Sequence, residues 1–324
     1  MPHETENSEQ KVEKMLKFKK MTLEDIPVVR KYLQGLDNPA CEFSVGNNLL
    51  WDDEDKLEFA LIRDHLIYRT VEEEEVRYDI PCFKSNFKDV LKLLQSDAKK
   101  LGKNAVFAYL SKKMAEQIKA AYPSDYEICC NRDHSDYIYN VEDMIGLKGK
   151  KYHKKKNHVN YFEKHYNFTY EKITKENLSE CLKMKEEWMA EYDDGSDTIQ
   201  IESNAINLAL NHYEDFQFVG GLIRIDGVVR AFTVGERLTD DMFVTHFEKA
   251  DESINGLYTI INQQFTEHEL SNYKYVNRED DLGIEGLRQA KLSYHPVQIY
   301  DKYEAITVKR LDLEPSKSYI LNLS

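Results

Sequence analysis

The chain has 324 residues, 41% hydrophobic and 31% charged, with a formal net charge of −14. That is length enough for two domains, each with its own core. The acidic balance fits a cytoplasmic protein and argues against one coated in nucleic acid, while leaving room for a local basic site. Apolar runs such as Ala105 to Leu110 are far too short to span a membrane.

Residues 1–14 are polar and acidic, lack a basic-then-apolar leader pattern, and read as a disordered tail. The five cysteines (Cys41, Cys82, Cys129, Cys130, Cys181) are odd in number and form no C-x-x-C, and the histidines show no ligand spacing. Neither a disulfide framework nor a metal site is expected.

A helix is predicted over Leu23–Leu36, with Thr22 as its cap and Asp25 three residues on. The strand-like pieces "EFALIRDHLIYRTVE" and "VRYDIPCF" follow, with a turn near Asp64. Next come a helix from Asn86 to Leu101, the strand "AVFAYL", a helix from Lys112 to Tyr122, and "YEICC" and "DYIYNV", read as a strand pair.

From Lys148 to Tyr166, seven lysines stand against one acid, Glu163. On a helix, Lys151, Lys154, Lys155 and His158 share one face, and Tyr152, Val159, Phe162 and Tyr166 share another that can dock to the core. The bland reading is a solvated connector. The functional one is a seat for phosphates.

Beyond it the spacing predicts a helix from Glu176 to Tyr192, a meander with a hairpin at Asp226-Gly227, a helix from Gly256 to Leu270 and the strand "KYVNR". In the meander, His246 and Glu248 flank Phe247 and are expected on one face, His246 as a buried, satisfied histidine. The stretch "NREDDLGIEGLRQAKLSYHP" (277–296) follows, read as a helix capped by Asp280 and Asp281, with Glu285 paired to Arg288 and Leu282, Leu287 and Ala290 turned to the core. Gly283 and Gly286 suggest something approaching closely. "PVQIY" and "EAITVKR" close the chain as a second strand pair.

This order runs twice. Met21-Thr-Leu-Glu-Asp and Ile173-Thr-Lys-Glu-Asn lie 152 residues apart (21 to 173), whereas Gln117, Lys119 and Tyr122 match Gln289, Lys291 and Tyr294 at 172 (117 to 289). The difference places an insertion near 193–215. The expected units are 15–147 and 148–324, the second including a basic connector helix at 148–166.

The element order, with "KKYHKKKNHVNYF" (150–162), "NREDDLG" (277–283) and "GLRQAKLSYHPV" (286–297), resembles the C-terminal catalytic domain of phosphatidylglycerol lysyltransferases and its soluble relatives. The resemblance implies an α+β fold of tandem duplicated GNAT-like domains, each a mixed, mostly antiparallel sheet flanked by helices. It also implies an acyltransferase related to the Fem-type enzymes. The donor is then an aminoacyl group, with aminoacyl-tRNA as donor and tRNA as a partner, and the acceptor an amine or hydroxyl on a small molecule. A CoA derivative is the alternative donor, and a non-catalytic binding module the alternative class.

Acyl transfer needs a proton acceptor, oxyanion donors and positioned substrates. Motif position assigns Glu248 to the proton, Asn277 and Tyr294 to the oxyanion, and Arg278, Arg288, Lys291, Lys151, Lys154 and Lys155 to phosphate or carboxylate. The loop "EKADESINGLY" offers one glycine, Gly256, for a CoA pyrophosphate, beside the acids Asp251 and Glu252.

Overall fold

The structure, a computed structural model, describes residues 16–52, 56–192, 195–308 and 319–320. The expected tail, 1–14, lies outside the described residues. The first half carries β1 (Lys19–Lys20), α1 (Ile26–Leu33), α2 (Asn47–Leu50), β2 (Glu58–Ile62), β3 (His65–Val71), β4 (Glu75–Asp79), α3 (Phe87–Lys100), β5 (Asn104–Leu110), α4 (Lys112–Ala121) and β6 (Tyr126–Cys130). β7 (Asp136–Asn140), α5 (Val141–Gly146) and α6 (His153–His165) lead into the second half. That half carries β8 (Phe168–Lys172), α7 (Leu178–Tyr192), α8 (Asp197–Asn211), β9 (Val219–Ile225), β10 (Val228–Arg237), β11 (Met242–Ala250), α9 (Leu257–Glu269), β12 (Tyr275–Asn277), α10 (Glu285–Leu292), β13 (Gln298–Tyr300) and β14 (Tyr303–Thr307). A short β15 (Tyr319–Ile320) lies on the edge of the first sheet.

Two sheets result, in the orders β1-β2-β3-β4-β5-β14-β6-β15 and β13-β7-β12-β11-β10-β9-β8. Apart from β15 their strand orders correspond element for element, and each has a single parallel pair, β4–β5 and β11–β12. This is the tandem GNAT-like arrangement, with one exchange. β7, from the first half, enters the second sheet between β12 and β13, and β14 enters the first between β5 and β6. The expected strand pairs are therefore corrected: β6 does not pair with β7, nor β13 with β14. Alternation shows which face of a strand is apolar but not which sheet receives it.

The doubled start is visible in detail. Thr22 N–H donates to the Asp25 carboxylate at 3.2 Å, and Thr174 N–H to Asn177 Oδ1 at 2.8 Å. At the two hairpins Arg63 and Asp64, and Asp226 and Gly227, have positive φ, as right-handed strand twist requires of a two-residue turn. The inserted segment forms α8, whose Ala205, Ile206, Ala209 and Leu210 pack with Val29, Leu33 and Leu50 of the first half in one core common to both.

The last helix departs most from expectation. α10 begins at Glu285, and Asp281 is no N-cap but fully buried. Arg288 pairs with Asp281 and Asp133, not Glu285, and Leu282, Leu287 and Ala290 are exposed. Lys291 is the buried residue of this helix.

Candidate active site between β11 and β12

β11 and β12 pair in parallel only from Met242–Tyr275 to Val244–Asn277. Beyond that β12 ends while β11 runs on to Ala250, so the pairing between them stops there. A bulge lies at the same place. Gly235 pairs with Thr245 and Val234 with Phe247, leaving His246 unmatched. A Cβ on Gly235 would meet the Val244 carbonyl oxygen at 2.0 Å, so this position requires glycine. The bulge corrects the expected sharing of a face. His246 packs edge-on against Phe218, in the same core as Phe247, while Glu248 points the other way, to α9.

On the Glu248 side four of the expected residues meet. Arg278 Nη2 donates to Glu248 Oε1 at 3.0 Å, and Asn262 Nδ2 to Oε2 at 2.9 Å. The Arg278 guanidinium lies 5.1 Å from the centre of the Tyr294 ring, and Lys155 Nζ 3.8 Å from it. Tyr294 is buried, which pushes its hydroxyl up to about 12. Burial, seconded by Arg278, pushes Lys155 down to about 8. Lys155, expected to hold phosphate, therefore gives up its proton more readily than an ordinary lysine.

The other expected residues stand around this group. Asn277 is fully buried, and its amide nitrogen donates to Pro39 O at 2.7 Å and Asp136 Oδ2 at 2.8 Å. Both N–H bonds are used, which leaves none for an oxyanion. Lys291 Nζ donates to the carbonyls of Arg278, at 2.5 Å, and of Asp280, and so fixes the loop that carries Arg278. Arg288 grips Asp281 through Nε (2.9 Å) and Nη2 (2.8 Å) and reaches Asp133 at 2.6 Å. It braces the loop from outside. Lys151 pairs with Asp143 at 3.2 Å, and Lys154 is exposed. Gly256, with φ +89°, opens α9 under α6: a Cβ there would lie 2.7 Å from the His158 carbonyl oxygen. α6 therefore lies over the helix start where a CoA pyrophosphate would seat.

Two buried clusters stand beside the site; His246 is the buried, satisfied histidine the sequence suggested, and its partners and the second cluster were not read from it. His246 lies between Glu236 Oε1 (3.2 Å) and Glu279 Oε1 (2.8 Å), and these carboxylates also receive Gly46 N–H (2.6 Å) and Asn47 Nδ2 (3.0 Å) from the first half. Burial works against a charged imidazole, yet the two carboxylates outweigh it and raise His246 to about 9. Glu236 also lines a cleft of about 290 Å³ with Arg30, Phe43 and Arg237. The second cluster joins the starts of the exchanged strands. Lys302 Nζ contacts Asp136 Oδ1 (2.7 Å), Glu42 Oε1 and Cys41 Sγ (3.7 Å), and Ser135 Oγ donates to Asp301 at 2.9 Å. Cys41, Glu42 and Asp136 are spaced as metal ligands could be, and the ammonium of Lys302 is the cation among them.

A family model described as phosphatidylglycerol lysyltransferase, C-terminal, matches residues 34–306. A conserved protein of unknown function from Bacteroides thetaiotaomicron is 36% identical with a TM-score of 0.86, over 90% of this chain and all of that one. The C-terminal domain of a putative lysylphosphatidylglycerol synthetase from Agrobacterium fabrum has a TM-score of 0.62 at 14% identity, over 87% of this chain and 91% of that one, a likeness of fold. An uncharacterised protein of Mycoplasmoides gallisepticum is 26% identical over 201 residues, 58% of this chain. The chain spans 60% of the length of that curated relative. Among the described residues no helix is long and apolar enough to cross a membrane.

Proposed function

This chain belongs to the phosphatidylglycerol lysyltransferase C-terminal family, and from that premise we propose that it transfers an aminoacyl group from an aminoacyl-tRNA to an amine or hydroxyl acceptor. The observation that carries the reading is the meeting of Lys155, Tyr294, Arg278 and Glu248 where β11 and β12 part. In the step, the acceptor nitrogen or oxygen attacks the ester carbonyl carbon and its proton passes to the free amine of Lys155. The carbonyl electron pair moves onto oxygen, where the positive charge of the Arg278 guanidinium stabilises it. The tetrahedral centre collapses, the ester C–O bond breaks, and the ribose oxygen leaves with the proton from Lys155.

Glu248 holds Arg278 in place rather than taking the proton, since both its oxygens already accept hydrogen bonds. Lys148, Lys150, Lys154 and Lys156 are exposed on and before α6 and supply the charge that a tRNA backbone needs. The α6 cover over Gly256 speaks against CoA as the donor.

The test is transfer of label from a panel of aminoacyl-tRNAs to phosphatidylglycerol and to peptide amines across pH. Turnover is expected to rise with pH through about 8, where Lys155 loses its proton. Lys155→Arg keeps the charge but cannot act as a base, and is expected to lower kcat by about 10²–10⁴-fold. A Lys155→Arg variant with wild-type kcat and an unchanged pH profile would refute the assignment.

A further inference from the structure

The cleft beside Glu236 holds charges that the fold leaves unbalanced. Both halves build it: Arg30, Leu33, Phe43 and Val45 come from the first, Glu236 and Leu238 from the second. Its volume of about 290 Å³ is at the small end of ligand pockets and suits a metabolite of amino-acid size. Leu33, Phe43 and Val45 belong to the core common to both halves, so part of its wall is apolar.

The negative charge sits at Glu236, which is 3% exposed. Its Oε1 accepts Gly46 N–H and faces His246 Nε2, while among the described residues Oε2 has no hydrogen-bond partner. Gly46 makes room for this carboxylate, since a Cβ there would lie 3.0 Å from Oε1 and 2.7 Å from the Phe218 ring. One imidazolium, His246, serves the two carboxylates of Glu236 and Glu279, so one negative charge is left over. At Arg30 the surplus is positive. Its Nη1 donates to Gln217 Oε1 at 2.6 Å, and its Nη2 to the carbonyls of Phe216 (3.0 Å) and Asp215 (3.3 Å), all uncharged acceptors. Among the described residues no carboxylate pairs with Arg30, although the field of Glu236 reaches it. The three bonds fix the guanidinium and leave it donors to spare. Arg237, by contrast, is already paired with Asp240.

We propose that this cleft binds a free α-amino acid with an apolar side chain, its ammonium at Glu236, its carboxylate at Arg30 and its side chain against Leu33, Phe43 and Val45. A sheltered charge of each sign, neither cancelled by a neighbour, matches a ligand that carries both signs on one carbon. An amine alone would leave Arg30 uncompensated, and an anion alone would meet the Glu236 carboxylate. The aminoacyl group of a tRNA ester has no free carboxylate, so this cleft is distinct from the seat of the transferred group. Glu236 also meets His246 on the side of β11 away from Glu248. The proposal therefore does not rest on the chemistry assigned to Lys155, and its readout needs no turnover.

The experiment is isothermal titration calorimetry of the full chain with L-leucine, L-methionine and L-phenylalanine, and with leucinamide and N-acetyl-L-leucine. At least one of the free amino acids is expected to bind at a single site. The amide lacks the carboxylate and the acetyl derivative lacks the ammonium, and each is expected to bind about tenfold more weakly or worse. Arg30→Gln is expected to weaken the free amino acid by about the same factor. An unchanged thermal melt establishes that the variant folds, and the two analogues test the same contacts on the wild-type protein if it does not. No binding of any of the three amino acids at millimolar concentration overturns the proposal. Leucinamide bound as tightly as leucine would make the cleft an amine site, and N-acetyl-L-leucine bound as tightly would make it an anion site. Either result overturns the proposal, as does binding that a folded Arg30→Gln variant leaves untouched.

Discussion

α4 and α10 hold the same place in the two halves, and their sequences match at 172 residues' distance, yet they face opposite ways. In α4, Met114, Ala115 and Ile118 are buried and Lys119 is exposed. At the matching positions of α10, Gly286, Leu287 and Ala290 are exposed and Lys291 is buried. α4 is held by burial of apolar surface. α10 is held by hydrogen bonds from two cations to the loop that carries Arg278. One copy kept a helix that supports a core, while in the other Arg288 and Lys291 turn inward to fix the loop that carries Arg278. Duplication thus preserved topology while letting the role of one helix invert.

The two halves are tied where their strands are exchanged, and the largest effect is expected there. Lys302 is nearly fully buried between Asp136 and Glu42. Lys302→Ala would leave two buried carboxylates without their cation, a loss of about 3–5 kcal/mol. Denaturant unfolding of wild type and variant measures it. Loss of stability with two separate transitions would show that the halves fold independently once the lock is gone, whereas one shifted transition keeps them a single unit.

The next pair of variants bears on the helices directly. Ile118→Ala in α4 is expected to cost about 2–5 kcal/mol, because Ile118 is fully buried. Leu287→Ala in α10 is expected to change stability by less than about 0.5 kcal/mol, as at an ordinary surface position. Equal losses in thermal or denaturant unfolding would mean that α10 packs through its leucines after all.

The sequence carried much of this, unevenly. Its repeated Thr-x-Glu-Asp/Asn starts and its Asp226-Gly227 turn are local chemistry, and both form as read. Four of the ten residues expected at the site meet around Tyr294. The burial of Lys291 was not legible, because Leu287, Ala290 and Lys291 share one side of the helix and spacing does not say which of them turns inward. Nor was the bulge that separates His246 from Glu248, since it depends on the partner strand. The buried charges Lys302, Glu236 and Glu279 look like surface residues until a distant partner meets them.

His246 ties the second sheet to the 46–47 segment of the first half through Glu236 and Glu279. Its folded value, about 9, lies above the ordinary 6.5. The stabilisation is therefore fully present below about pH 6.5 and is lost as pH rises toward 9. Two to three pH units correspond to about 3 kcal/mol. Glu42 and Asp79 titrate at about 7 for reasons of burial, so the reading is the difference between wild type and His246→Gln. That difference in unfolding free energy is expected to shrink between pH 6.5 and 9. A constant difference would mean that the imidazole is neutral throughout.

The smallest effect separates the two glycines of the α10 region. Gly283 has φ +73°, and a Cβ on it would lie 3.0 Å from Asp133 Oδ2, so this position does require glycine. Gly286 is inside the helix with ordinary φ and nothing within 4 Å of a built Cβ. Close approach, one reason for glycine there, is absent within the folded chain. Gly286→Ala is accordingly expected to stabilise the protein by about 0.5–1 kcal/mol, since alanine gains helix propensity at no steric cost. Met114 of α4, at the matching place, is pressed into a core, so the contrast repeats the inversion of the whole helix in one side chain. Thermal unfolding of Gly286→Ala beside wild type measures it. If the substitution lowers the melting temperature of the free protein, a neighbour presses on α10 in the folded state, and the helix is not the exposed element that distinguishes the second half from the first.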